Sequence, residues 1–145
     1  MKIEIQVDEQ IEETKVVIYA KQMNSEINEI MKKLSKTKEA IKVYKDDETY
    51  FLKEDDIESI YTENSKVYIK CEKDIYQSKN RLYELEEMIS KEKFLRISNS
   101  EIINFDKVKK INTKLLGTIC INFKSGYQTY ASRRYIKKIK EFLNI

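Results

Sequence analysis

Residues 2–7, Lys-Ile-Glu-Ile-Gln-Val, alternate polar and apolar with period two, the pattern of a strand that buries one face. Val16 to Tyr19 predict a second short strand. Ile27, Ile30, Met31 and Leu34 then fall at i, i+3, i+4 and i+7, with Asn24 or Ser25 placed as a cap, which predicts an amphipathic helix over about 25–36. From Ile41 the period returns to two. Ile41–Tyr44, Tyr50–Leu52, Ile57–Tyr61, Lys66–Cys71 and Ile75–Gln77 are strand candidates, separated by Asp-, Asn- and Glu-rich turns. Helical spacing reappears at Leu82, Leu85, Met88 and Ile89, predicting a helix over about 79–90 with Ser78 as cap. Phe94–Ile97, Ile119–Phe123 and Tyr127–Ala131 read as further strands, the last two joined at Ser125-Gly126. A closing helix opened by Ser132 turns Ile136, Ile139 and Leu143 inward. These elements predict a mainly β, α+β chain of short antiparallel sheets and small helices over 41–145. A strand–strand–helix extension over 1–40 precedes it, as a candidate dimerisation or regulatory element.

Composition narrows the chemistry. The 145 residues contain no histidine, proline or tryptophan, two cysteines and two glycines. Without imidazole there is no Ser-His-Asp or Cys-His nucleophile pair and no His-ligated metal. Two isolated glycines, Gly117 and Gly126, do not make a phosphate-cradling loop. Cys71 and Cys120 lie within apolar alternation and read as buried free thiols of a reducing compartment. Apolar runs of four or five residues are far short of the ~20 that span a bilayer. The first residues carry acids rather than a basic apolar leader, so a cytoplasmic chain is expected. The acidic runs Glu54-Asp55-Asp56 and Asp46-Asp47-Glu48 are where a hard metal or an acid–base pair would be built. Adjacent carboxylates in turns are ordinarily solvated, and no metal, cofactor, small-molecule substrate or enzymatic activity is expected.

Charge points elsewhere. The chain totals 28 basic and 25 acidic side chains, yet residues 93–145 carry 12 basic and 3 acidic ones, while 41–92 carry 9 and 14. Arg96, Arg133 and Arg134, three of the four arginines, lie in that basic third. Such asymmetry suits a polyanion or an acidic protein surface. Two adjacent arginines at a helix start oppose the helix dipole, which favours an external anion over an internal partner.

The run Phe94-Leu-Arg-Ile-Ser-Asn-Ser-Glu-Ile-Ile-Asn104, the apolar pair Val108 and Ile111, and the terminal Ser132-Arg-Arg-Tyr-Ile136 resemble the LytTR family of bacterial DNA-binding domains in order and spacing. Ile57–Glu63 and Leu82–Glu87 look like that family's first core strand and its helix, so the resemblance covers roughly residues 42–145. It implies short antiparallel sheets whose loops, rather than a recognition helix, enter successive major grooves of double-stranded DNA. It also implies three contact regions: after Glu63, at Ser98-Asn99-Ser100, and at Ser132-Arg133-Arg134. Arginine can bond guanine and asparagine can bond adenine through two parallel contacts. Asn99 and Arg134 are accordingly expected to read bases, with Lys66 or Asn64 in the first region. Arg96, Ser98, Ser100, Ser132 and Arg133 are expected on phosphates. Lys107, Lys109 and Lys110 would add diffuse attraction. Asn99 could instead be a turn residue bonding its own backbone, and Arg96, on the strand parity opposite Leu95 and Ile97, could simply be solvated. The N-terminal portion is similar to that of short LytTR regulators without a receiver domain. These often accompany a small membrane protein, so the expected partners are DNA, a second copy on DNA and such a membrane protein. The competing reading is a protein-interaction module whose basic C-terminal face docks an acidic or membrane-protein partner.

Overall fold

A computed structural model of the chain describes residues 1–34, 40–113 and 118–145. It divides into two compact units, Met1–Thr37 and Lys38–Ile145. In the first, the helix α1 (Ser25–Leu34) forms where the periodicity places it, and positions 35 and 36 lie outside the described residues. Asn24 is the cap: its Oδ1 accepts the Ile27 amide at 2.9 Å, satisfying a donor that the first turn leaves free. The two predicted strands of this unit do not form. Residues 2–7 and 16–19 pair with no strand, and every side chain from Met1 to Glu26 is exposed. Alternation records which side chains share a face, whereas a strand also needs a neighbour to take its amides and carbonyls. An isolated pair of short strands is marginal in water. Asp8 instead turns the chain locally, its carboxylate accepting the Gln10 amide at 2.9 Å.

The second unit begins with β1 (Ile41–Lys45) and β2 (Glu48–Leu52), followed by β3 (Ile57–Glu63), β4 (Lys66–Cys71) and β5 (Ile75–Ser78). The helix α2 (Leu82–Met88) leads to β6 (Phe94–Ser98) and β7 (Glu101–Asn104), then β8 (Val108–Asn112), β9 (Ile119–Phe123), β10 (Gln128–Ala131) and α3 (Ile136–Leu143). A seven-stranded sheet runs β2-β1-β5-β4-β3-β7-β6, and a three-stranded sheet runs β10-β9-β8. All pairings are antiparallel, which short hairpin connections permit.

With so little glycine, the tight turns fall to small polar residues. Asp46 and Asp47 take φ of 50° and 62°, and Asn64 and Ser65 take 50° and 64°. These are two-residue hairpin turns with both central residues left-handed, the geometry that matches strand twist and that Asn and Asp tolerate best. Gly126, at φ 95°, turns β9 into β10.

Two apolar clusters form. One gathers Val43, Ile57, Ile60, Ile69, Leu85, Phe94 and Ile102; the other gathers Ile97, Ile103, Ile119, Ile121, Phe123 and Ile139. The adjacent Ile102 and Ile103 thus face opposite clusters, so the β6–β7 hairpin is covered on both sides. For this reason β7 escapes detection by alternation: Glu101, Ile102, Ile103 and Asn104 are all buried. In β8 a register shift between Val108 and Lys110 breaks the two-residue period.

The helix α2 is shorter than the predicted 79–90. Ser78 does not cap it but turns the chain ahead of it, accepting the Asn80 amide at 3.0 Å. Glu84 reaches back to the Arg81 amide at 3.3 Å at the true start. The closing helix is preceded by a 3-10 turn, Arg133–Tyr135, and Ser132 makes no side-chain capping bond. Asn144, at φ 55°, ends it in the left-handed conformation common at helix C-termini. Both cysteines are free; Cys120 is buried and Cys71 only half-buried.

Candidate nucleic-acid interface

The three regions expected to meet DNA come together in the second unit through backbone hydrogen bonds. At the end of β3, the Thr62 amide donates to the Ser100 carbonyl at 2.8 Å, joining the β3–β4 turn to the β6–β7 turn. At the end of β10, the Ser132 amide donates to the Ile97 carbonyl at 2.9 Å, joining the same β6–β7 turn to the segment that carries the paired arginines. The Tyr135 hydroxyl closes the set by bonding Asn99 Oδ1 at 3.1 Å.

Each reader candidate sits where its side chain meets solvent. Asn64, Lys66, Asn99, Ser100, Arg133 and Arg134 are exposed, and Ser98 and Ser132 are half-buried. Asn64 occupies one of the left-handed turn positions, so its residue type also serves the backbone. Lys66 opens β4 opposite Glu63. In the 98–100 turn it is Ser98, not Asn99, that bonds the local backbone: Ser98 Oγ accepts the Ser100 amide at 3.3 Å. The Asn99 amide group is held from outside the turn, by Tyr135. Tyr135 is a member of the site that residue-by-residue reading missed, and its place directly after the paired arginines was the available signal.

Arg96 is not simply solvated. Its strand parity is as expected, opposite Leu95 and Ile97, but α2 covers that face, and Arg96 Nε lies 3.4 Å from Glu86 Oε2 in an ion pair. Nε itself makes no hydrogen bond. Lys109 and Lys110 are exposed on β8, and Lys107 is half-buried in the turn before it. In the acidic run after β2, Glu54 departs from the solvated turn expected of it, while Asp55 and Asp56 stay exposed. Glu54 is buried and its Oε1 accepts the Ser90 amide at 2.8 Å, Asp55 pairs with Lys93 at 3.0 Å, and Asp56 accepts the Lys53 amide at 3.3 Å. These carboxylates hold the start of β3 and the end of α2 in place. Among the described residues, no group of three or more acidic or cysteine side chains could hold a metal ion.

The second unit is thus a β domain that gathers three exposed, partly basic hairpin and turn ends. The LytTr DNA-binding domain model matches residues 47–144, and the chain belongs to this family, which is a family of DNA-binding domains and not of enzymes. Uncharacterized HTH-type transcriptional regulators of Staphylococcus aureus strains MSSA476 and MRSA252 are 31% and 30% identical over 147 residues, covering 100% of this chain and 99% of each relative. A solved LytTr DNA-binding domain from Bacillus cereus superposes with a TM-score of 0.71 at 20% identity, over 74% of this chain and 99% of that one, and shows the same fold. The helix-turn-helix of the relatives' name has no counterpart among the described residues, where β1–β5 separate α1 from α2 and β6–β10 separate α2 from α3. No described helix is long and apolar enough to cross a membrane.

Proposed function

We propose that this chain is a sequence-specific transcriptional regulator that inserts the 63–66, 98–100 and 132–134 segments into successive major grooves of double-stranded DNA. The observation that carries the reading is the hydrogen-bonded junction of those three segments at one edge of the second unit. Asn99 and Arg134 read bases, with Lys66 or Asn64 contributing from the first turn; Arg133, Ser98, Ser100 and Ser132 bind phosphates and set the register. Arg96 reaches a phosphate only by leaving Glu86, so its contribution is smaller than that of Arg133. The chain binds repeat sites as a homodimer, and the exposed apolar residues of the first unit, among them Ile3, Ile5 and Val7, suit such pairing. A small membrane protein is the fitting regulatory partner.

A mobility-shift titration on the chain's own promoter region tests this. Retention should exceed that of random duplex at moderate salt, and log affinity should fall with log salt by about 0.9 per phosphate neutralised. Arg134→Ala should relax base preference by about 1–3 kcal/mol, whereas Arg133→Ala should weaken all sequences alike. Equal, sequence-independent losses refute the division of roles. A second reading, docking of an acidic or membrane-protein partner, draws on the groove along α3, where Ile136 and Ile145 lie among Arg133, Lys137 and Lys140. Capture of such a partner undiminished by nuclease, with no preference among DNA duplexes, would favour it.

A further inference from the structure

Glu101 is the first residue of β7, directly after the 98–100 turn, and is only 8% exposed. Its carboxylate accepts three hydroxyl hydrogen bonds: from Ser59 Oγ at 2.6 Å, Tyr127 Oη at 2.9 Å and Thr129 Oγ1 at 2.5 Å. Ser59 lies on β3, Thr129 on β10, and Tyr127 in the turn that leads into β10. Ser59 is fully buried and Thr129 nearly so. The Lys70 ammonium stands 4.6 Å from the centre of the Tyr127 ring on its way to an ion pair with Glu58 at 2.7 Å.

A buried carboxylate is an expensive way to fill space, because a well-packed apolar side chain of similar volume is usually neutral or better for stability. What three charge-assisted bonds provide, and an apolar residue cannot, is direction. The acceptor and its donors belong to the three elements that border the candidate contact segments: Glu101 to β7, Ser59 to β3, and Thr129, with Tyr127 just before it, to β10. β3 runs on to Asn64, β7 begins just after Asn99, and β10 runs on to Ser132 and the paired arginines. We infer that Glu101 is a positioning residue that fixes the mutual register of the three DNA-contacting segments. This rests on the reading of those segments given under the proposed function. The carboxylate itself touches no DNA. Its role is to hold the seven-stranded sheet to the three-stranded sheet beneath the tips that do.

The test compares Glu101→Gln, Glu101→Leu, Tyr127→Phe and, as a control for general destabilisation, Ile69→Val in the cluster that holds Ile60 and Ile102. The probes are a duplex selected by the full wild-type chain from a random pool, and unselected random duplex. Tyr127→Phe removes one donor and keeps the ring, so it remains informative if Glu101→Leu fails to fold. The ratio of selected to random affinity should fall about tenfold in Glu101→Leu and several-fold in Tyr127→Phe, with random-duplex affinity little changed. Glu101→Gln, which retains one acceptor oxygen, should recover part of the loss. Amide hydrogen exchange gives a readout that needs no DNA. The Thr62 and Ser132 amides, which bridge the segments, should exchange at least about tenfold faster in Tyr127→Phe, while central amides of the seven-stranded sheet hold their protection. An unchanged ratio, or exchange that quickens uniformly as in Ile69→Val, overturns the inference. If the wild type enriches no sequence, the DNA reading falls by itself, and exchange at Thr62 and Ser132 still decides whether Glu101 couples the segments.

Discussion

Asn104 closes the Phe94–Asn104 run and is a polar residue with no exposed surface. Its amide nitrogen donates to the Ile57 carbonyl at 3.0 Å and, at a longer 3.4 Å, to the Glu54 carbonyl; its oxygen accepts the Asp106 amide at 3.0 Å. Asn104→Ala removes all three at once. The Glu54 contact is too long to count for much, and water can reach the partly exposed region of Asp106. The main cost is the Ile57 carbonyl, left buried without its donor, together with the small cavity left by the amide. An orphaned buried group costs about 1–3 kcal/mol, and the cavity adds to it, so about 2–4 kcal/mol is expected. At roughly 4–8 °C per kcal/mol for a domain near 100 residues, the melting midpoint should drop by about 10–25 °C. Thermal unfolding followed by circular dichroism measures this, alongside DNA affinity well below the lowered midpoint, which should match wild type within about twofold. Asn104→Asp should be no better than alanine, because its carboxylate would face the Ile57 carbonyl. A melt within about 1 kcal/mol of wild type refutes the clamp. So does loss of DNA affinity at unchanged stability, which would make Asn104 a reader.

Tyr135→Phe removes only the hydroxyl that holds Asn99 Oδ1, so selectivity at the base that Asn99 is proposed to read should fall by about 2–10-fold, with the melting midpoint shifted little. Competition titrations with duplexes altered at single positions would show it, and equal losses at every position would exclude it. Burial, reinforced by Asp56, Asp74 and Glu58, pushes the Cys71 thiol up to about 11, so its thiolate is scarce at neutral pH. Alkylation of Cys71 in the folded chain should be about a hundredfold slower than in urea near pH 7.5 and should rise about tenfold per pH unit; equal folded and unfolded rates would contradict this. Burial and the adjoining Glu101 carboxylate also hold the Tyr127 phenol in its neutral form well beyond its ordinary range. The folded pKa lies above the unfolded one, so this contribution to stability is fully present below about pH 10 and is lost as pH rises beyond it. Urea midpoints between pH 9 and 11 should fall less steeply in Tyr127→Phe than in wild type, and identical slopes would refute it.

Most strands were legible in the sequence because recurring apolar positions mark the faces that a sheet buries. β1 to β5, β6, β9 and β10 appear within a residue or two of where the periodicity puts them. β7 and β8 were not. β7 offers Glu-Ile-Ile-Asn, in which Glu101 and Asn104 are buried polar residues whose partners come from distant strands, and no local pattern announces that. The same cause explains Arg96: parity located its face correctly, but only the packing of α2 shows that the face is occupied by Glu86. The strands expected at 2–7 and 16–19 fail in the other direction, since their apolar patterns are genuine but no ladder partner is present among the described residues. Of the candidate site, the exposed turn residues were visible as residue types that suit DNA. The hydroxyls of Tyr135 and Tyr127 were not, because a tyrosine within apolar alternation looks like packing until its oxygen is placed.

The hairpin of β6 and β7 sends Ile102 into one apolar cluster and Ile97 and Ile103 into the other. Neither cluster can therefore dissolve without stripping one side of this shared hairpin, and the two should melt as a single cooperative unit despite the division into two sheets. Asn99 sits at the tip of that common element. A binding loop ordinarily belongs to the least stable part of a protein, free to open while the rest stays folded. Here the base of the turn is anchored in both clusters, so the target selection proposed for this segment should depend on side-chain rotation at the tip more than on loop rearrangement.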